Sequence, residues 1–253
     1  MLYCKSPRSE IILISQYNKK VLLKIGSLVN DNSNVIIGGI TLSITEKLIH
    51  IPADNSVIEG ALSIPAQSRG LVLFAHGSGS SRHSPRNNFV ARILNNNGLA
   101  TLLMDLLTPE EDRNYNTRFD IELLTQRLVT ATTWVRNSIH TQGLPIGYFG
   151  ASTGAAAALK AAVKEATINA VVSRGGRPDL AGEDIRRVVS PVLLLVGDCD
   201  FGVIELNQDA FTKLQCTKNL ILVPGATHLF EEPGTLEQVA NHAADWFRIH
   251  LST

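Results

Sequence analysis

The chain has 253 residues, 44% of them hydrophobic and 18% charged, enough to bury a sizeable core within one α/β domain. Twenty-three basic and twenty-three acidic side chains give a formal net charge of +0, so no whole-chain field favours nucleic acid or an anionic membrane as a partner. Cys4, Cys199 and Cys216 are scattered without CxxC spacing, which argues against a disulfide framework or a zinc site and fits a reducing cytoplasm.

Lys5 and Arg8 precede an apolar run at residues 11–14. That run is too short for a signal-peptide core and no small-residue cleavage pattern follows, so no secretion is expected. No window approaches the roughly 20 apolar residues of a spanning helix, and the chain is expected to be soluble. Residues 1–46 carry short apolar runs at 11–14, 21–25 and 35–40, with Asp31-Asn32-Ser33-Asn34 as a turn between the last two. They are expected to form an N-terminal extension or an edge hairpin of unassigned role, and residues 47–253 the main domain.

From residue 48 the pattern sharpens. Short strands are expected at 48–51 and 56–62 around Pro52-Ala53-Asp54-Asn55, as in an antiparallel edge. Residues 71–75 form a continuous apolar run, the mark of a strand buried on both faces, followed by the loop His76-Gly77-Ser78-Gly79-Ser80-Ser81. Ser84-Pro85 starts a helix that Asn95-Asn96-Asn97-Gly98 closes. A strand at 99–104 ends in Asp105, a polar, acidic connection covers 108–116, and a long amphipathic helix spans about 118–137. Later strands are expected at 169–173, 192–196 and 219–223, with helices at 203–214 and 235–251. This alternation implies a mainly parallel sheet covered on both faces, whose ligands bind beyond the carboxyl ends of the strands.

The most informative stretch is Gly150-Ala151-Ser152-Thr153-Gly154, between the apolar run at 145–149 and Ala155-Ala156-Ala157-Ala158. Strand, tight turn and helix put Ser152 on a sharp bend that projects its hydroxyl from the backbone, with the positive end of the helix facing it. Two further strand ends carry the residues such a serine needs. Asp200 lies four residues past Val196 and His228 follows Val223; the order Ser, Asp, His is that of a nucleophile, an orienting carboxylate and a general base in this type of sheet. Asp198 on the same loop and Asp105 are the competing acids, read as a spare carboxylate and a strand-end carboxylate. His242 and His250, on the last helix, are expected at the surface. The N–H groups of Thr153 and Ser78 are the expected oxyanion donors. No metal or cofactor is expected.

These residues carry a resemblance. From about residue 48 onward the chain resembles the α/β-hydrolase superfamily, its dienelactone-hydrolase-like branch, and within that a group of predicted bacterial hydrolases often fused to a phosphoribosyltransferase domain. The stretches that carry it run from His76-Gly77-Ser78-Gly79 to Pro85-Arg86-Asn87, through Ser173-Arg174-Gly175-Gly176-Arg177-Pro178-Asp179, and through Gly225-Ala226-Thr227-His228-Leu229-Phe230-Glu231-Glu232-Pro233. The resemblance implies an α/β-hydrolase fold and selects Asp200, last residue of a Gly-x-x-Asp turn, over Asp198. The dienelactone hydrolases themselves use a cysteine at the elbow where this chain has Ser152, so their particular substrate does not transfer. No stretch here resembles the acidic, Thr-Gly-containing pyrophosphate loop of the transferase domain.

The expected activity is hydrolysis of a small-molecule carboxylic ester or thioester through an acyl-enzyme on Ser152. Arg82, His83 and Arg86 flank the oxyanion loop and Arg174 and Arg177 leave a neighbouring strand end, so with His76 they are candidates for binding substrate, including an anionic group. The competing expectation is that they pair with acids such as those between Glu110 and Asp112. An acyltransferase using the same residues and a non-catalytic binding protein on this fold are the alternatives. Cys199 is expected to be a small buried residue. Oligomeric state is left open, a homo-oligomer included.

Overall fold

A computed structural model describes residues 34–37 and 40–251. The apolar runs at 11–14 and 21–25, Cys4 and most of the turn at 31–34 lie outside the described residues. Among the described residues nine strands form one sheet in the order β1-β2-β3-β5-β4-β6-β7-β8-β9. The N-terminal strands β1 (Asn34–Ile37), β2 (Ile40–Ala53) and β3 (Ser56–Pro65) pair antiparallel, and β3 continues antiparallel onto β5 (Ala100–Met104). From there β4 (Leu71–Ala75), β6 (Ile146–Ala151), β7 (Ala170–Arg174), β8 (Val192–Gly197) and β9 (Lys218–Val223) run parallel. This is the mainly parallel, helix-covered sheet that the alternation predicts.

Strand alternation feeds two cores at once. Along β4, Leu71, Leu73 and Ala75 face one side, with Leu124, Leu128 and the alanines of α4 (Thr153–Lys164), while Val72 and Phe74 face the other, with Val90, Phe149, Val239 and Phe247. The first side is covered by α3 (Ile121–Asn137) and α4, the second by α1 (Pro85–Asn96) and α6 (Thr235–His250). Two further helices, α2 (Pro109–Asp112) and α5 (Phe201–Lys213), stand after β5 and β8. Among the described residues no helix is long and apolar enough to cross a membrane.

The differences from expectation have local causes. β2 is much longer than 48–51, because Ser43, Thr45, Glu46 and Lys47 pair with β3 or β1 despite their polarity; a strand with one exposed face need not be apolar. It runs continuously through residues 46 and 47. The β2–β3 turn narrows to Asp54-Asn55, with Asp54 at φ 52°. The helix expected from residue 118 starts at Ile121 because the Asp120 carboxylate accepts the Leu123 N–H at 3.0 Å and caps it, leaving Asn116–Phe119 as a 3-10 turn. A 3-10 segment over Pro178–Arg187, broken at Gly182, has no counterpart in the sequence pattern.

Phe247 anchors α6 to the sheet: it is fully buried and packs against Gly147 so closely that a Cβ there would stand 2.6 Å from its ring. Phe247→Ala is expected to cost about 3–5 kcal/mol through lost burial and the cavity left behind, read from the urea midpoint with an unchanged denaturant slope.

Candidate active site

Ser152 sits between β6 and α4 with φ 50° and ψ −121°, a backbone conformation that a non-glycine residue adopts only when its surroundings enforce it. The enforcement is visible. Ser152 N–H donates to Arg174 O at 3.2 Å, and its own carbonyl accepts from Arg177 N–H at 3.0 Å, so the bend is stapled to the end of β7. On the other side Gly154 presses onto β4: a Cβ there would fall inside the carbonyl oxygens of Ala75 and His76. The serine side chain remains partly exposed beside Gly77, where an added Cβ would stand 3.0 Å from Ser152 Cβ and 3.7 Å from its Oγ.

His228 Nδ1 donates to Asp200 Oδ2 at 2.7 Å, which leaves the lone pair on Nε2. Its ring lies against Gly175, with Cε1 3.5 Å from where a Cβ on that residue would be. Gly175 follows Arg174, whose carbonyl holds Ser152, so the His228 and Ser152 backbones meet across one turn after β7. No hydrogen bond joins Ser152 Oγ to His228 among the described residues, as is common where such bonds tighten only around bound substrate. The competing acids are engaged elsewhere. Asp198 accepts from Gly225 N–H at 2.7 Å, tying the β8 turn to the His228 loop, and Asp105 accepts from Arg82 N–H at 2.7 Å. On α6, His242 is half-buried and His250 is too, the latter edge-on to Trp246 with ring centroids 4.4 Å apart.

The Ser78 and Thr153 N–H groups donate to no other protein group among the described residues. The loop after β4 that carries Ser78 is held by His76, which is buried: Leu106 N–H donates to its Nε2 at 3.0 Å and its Nδ1–H donates to Gly77 O at 2.9 Å. Both ring nitrogens are therefore taken by backbone, and burial pushes the His76 pKa down. Arg82 ties the same loop to β5 and β3 through ion pairs with Asp105 and Glu59. Arg177 is paired with Asp179, Arg86 with Glu231, and His83 is exposed. The acids of the 108–116 connection pair instead with Arg118, through Asp112, and Arg127, through Glu111. Among the described residues, Arg174 alone of the arginines named here has no carboxylate partner.

One expectation is corrected. Cys199 is exposed, not buried: with Asp200 turned toward His228, its neighbour faces outward, and its Sγ–H donates to Asp198 at 3.3 Å, which raises the thiol's pKa. Sequence reasoning also missed three supports. Glu232 accepts from both Thr227 N–H and Oγ1, bracing the His228 loop. Buried Asn207 donates to Gly176 O at 3.0 Å, fixing the β7 loop to α5; its position four residues after Val203, on the helix's inner side, was the available signal. Asn87, in the first turn of α1, meets Arg174. A groove of about 530 Å³ along α3, lined by Pro52, Gln126 and Trp134 among others, shares no residue with this site.

The sequence pattern of the Dienelactone hydrolase family matches residues 58–251. The chain belongs to that family. Within it, the chain is 52% identical to a dienelactone hydrolase from Anabaena variabilis, whose crystal structure superimposes with a TM-score of 0.80 over 82% of this chain and 99% of that one. Two Mycobacterium tuberculosis proteins, named for a proposed phosphoribosyl transferase activity, are 57% identical over 204 residues, 80% of this chain and 46% of theirs. The chain thus spans about half the length of the curated relatives it matches. Est1E from Butyrivibrio proteoclasticus shares the fold at 17% identity, with a TM-score of 0.69 over 80% of this chain and 98% of that one. The fold is therefore that of the α/β hydrolases.

The depressed pKa of His76 has a consequence for stability in this dienelactone hydrolase family member. The unfolded imidazole titrates near 6.5 and the folded one below it, so between the two values the unfolded chain binds more protons. His76 thus stabilises fully above pH 6.5 and loses that contribution as pH falls through the folded value. The difference in unfolding free energy between wild type and His76→Asn is expected to shrink as pH is lowered from 7.5 to about 5, measured by denaturant titration; a constant difference would refute it.

Proposed function

We propose that the chain is a serine hydrolase of carboxylic esters or thioesters, with Ser152 as nucleophile, His228 as general base and Asp200 as the carboxylate that orients it. The observation that carries this reading is the 2.7 Å bond from His228 Nδ1 to Asp200 beside a serine held at φ 50°. Family membership and the esterase fold support it.

In this mechanism Ser152 Oγ attacks the substrate carbonyl carbon as its proton passes to His228 Nε2. Negative charge collects on the former carbonyl oxygen, where the N–H groups of Ser78 and Thr153 and the N-terminus of α4 lower its energy. The ionised Asp200 fixes the imidazole tautomer and offsets the positive charge it acquires. The intermediate collapses, the leaving alcohol or thiol takes the proton from His228, and an acyl-serine remains. Water then gives its proton to His228 and attacks the acyl carbon, returning Ser152 and releasing the acid. No metal or cofactor enters these steps. The free thiols of Cys199 and Cys216 support a reducing, cytoplasmic setting.

A neutral fluorophosphonate should add one adduct to the intact protein, mapped to Ser152 and absent from Ser152→Ala. Labelling should slow about 10²–10⁴-fold in His228→Ala and clearly in Asp200→Asn. An unlabelled, folded wild type would overturn the assignment.

A further inference from the structure

Arg174 sits at the end of β7 with only 8% of its surface exposed. Its Nη2 makes a long, 3.4 Å contact with Asn87 Oδ1, its Nε and Nη1 have no hydrogen-bond partner among the described residues, and the ring of Phe230 lies 5.9 Å from the guanidinium carbon. Burial, with the nearby charge of Arg86 as a second cause, brings its pKa down to about 10, so it is still a cation at neutral pH. A buried cation without a counter-charge is costly, and a neutral amide and an aromatic face offset little of that cost.

What surrounds it adds to the positive potential. Asn87 is the third residue of α1, a twelve-residue helix that Ser84 caps and whose first turn holds no acidic residue. Its positive dipole end therefore points toward the same place. Arg86, in that turn, has a buried Nε without a partner, and its Nη1 pairs with the mostly exposed Glu231. Arg174, Arg86 and a helix terminus thus gather in one place where, among the described residues, Glu231 is bonded to Arg86 and no carboxylate to Arg174, and it is Arg174's own carbonyl that accepts the Ser152 N–H.

We propose that Arg174, with Arg86 and the N-terminus of α1, forms a subsite for an anionic group carried by the substrate, a carboxylate or a phosphate, bound while the ester carbonyl meets Ser152. This rests on the hydrolase reading above. A guanidinium offers paired, planar N–H groups to either oxyanion, and binding one supplies the missing counter-charge. Arg82 and Arg177 need no such ligand, being paired with acids of the protein itself.

The test compares 4-nitrophenyl esters whose acyl chains, equal in length, end in a carboxylate, a phosphonate or a methyl group. Wild type is expected to prefer at least one anionic ester over the neutral one by about tenfold or more in kcat/KM, and the two anionic arms tell which oxyanion fits. That ratio should fall toward one in Arg174→Gln, and partly in Arg174→Lys, which keeps the charge but loses the fork. Arg187→Gln, a change at an exposed arginine paired with Asp184, serves as the control that keeps the ratio. Were Arg174 only a packing element, its loss would slow all three esters alike and leave the ratio intact. Neutral fluorophosphonate labelling separates the two readings: a labelled Ser152 with no anionic preference in wild type overturns the subsite alone. If Ser152 is not labelled the hydrolase reading fails, and the subsite is judged by whether succinate or phosphonoacetate raises the melting temperature of wild type at fixed ionic strength. No rise with either would overturn it too, and because this measurement uses wild type it decides the matter even if the Arg174 variants do not fold.

Discussion

The backbone of Ser152 is the constraint on which the rest depends. A non-glycine residue at φ 50° and ψ −121° costs on the order of 1–3 kcal/mol, and it persists because both neighbouring strands hold it. β7 supplies a carbonyl to Ser152 N–H and a loop N–H to its carbonyl, and β4 receives Gly154 at a distance no side chain would permit. β4 and β7 are the two sheet partners of β6, so the strand order is what clamps the bend. The apolar run of α4 follows from the same need: Ala155 to Ala158 are fully buried, and larger side chains there would push the helix off the strands it must touch.

The other parts of the site lie farther from that clamp and need supports of their own. His228 leaves β9, separated from β6 by β7 and β8. Its loop is tied back by Asp198 to Gly225 N–H, by Cys199 N–H to Ala226 O and by Glu232 to Thr227. The proposed oxyanion loop leaves β4 and is tied to the segment just after β5 by His76 and Arg82. These polar bonds act together with apolar anchors that continue past the strand ends, Ala226 and Phe230 on the His228 loop and Leu106 after β5, and they fix the direction of each loop where burial alone does not.

That division also explains what could be read in the sequence. The buried strands β4 to β8 are predominantly apolar runs, the elbow is local, and the order Ser152, Asp200, His228 follows from where strands end, so these were legible. β2 was not, because a strand with one solvent face mixes Thr45, Glu46 and Lys47 with Ile49 and Ile51. Nor were the partners of Arg82: Asp105 is 23 residues away along the chain and Glu59 an equal distance the other way, and nothing in either neighbourhood marks the pairing. Which side chain of the turn Asp198-Cys199-Asp200 faces inward is set by the bend itself. The family resemblance, through its Gly-x-x-Asp turn, pointed to Asp200, the carboxylate that bonds His228, while the one-dimensional pattern misjudged Cys199.

Arg82 and Arg174 make the clearest contrast in the molecule. Arg82 lies on the loop that follows β4 and Arg174 at the end of β7, the two strands beside β6, and both are largely withdrawn from water, Arg82 with 17% of its side chain exposed. Arg82 meets two carboxylates, and removing it would strand them, so its charge acts as a tie whose value is geometric. Arg174 meets none. Replacing it with an apolar residue of similar length would relieve the desolvation penalty at no cost in ion pairs, so the fold by itself supplies no reason to keep a cation there. The proposed anion subsite would account for a charge that the described residues leave uncompensated at the strand end whose carbonyl holds Ser152.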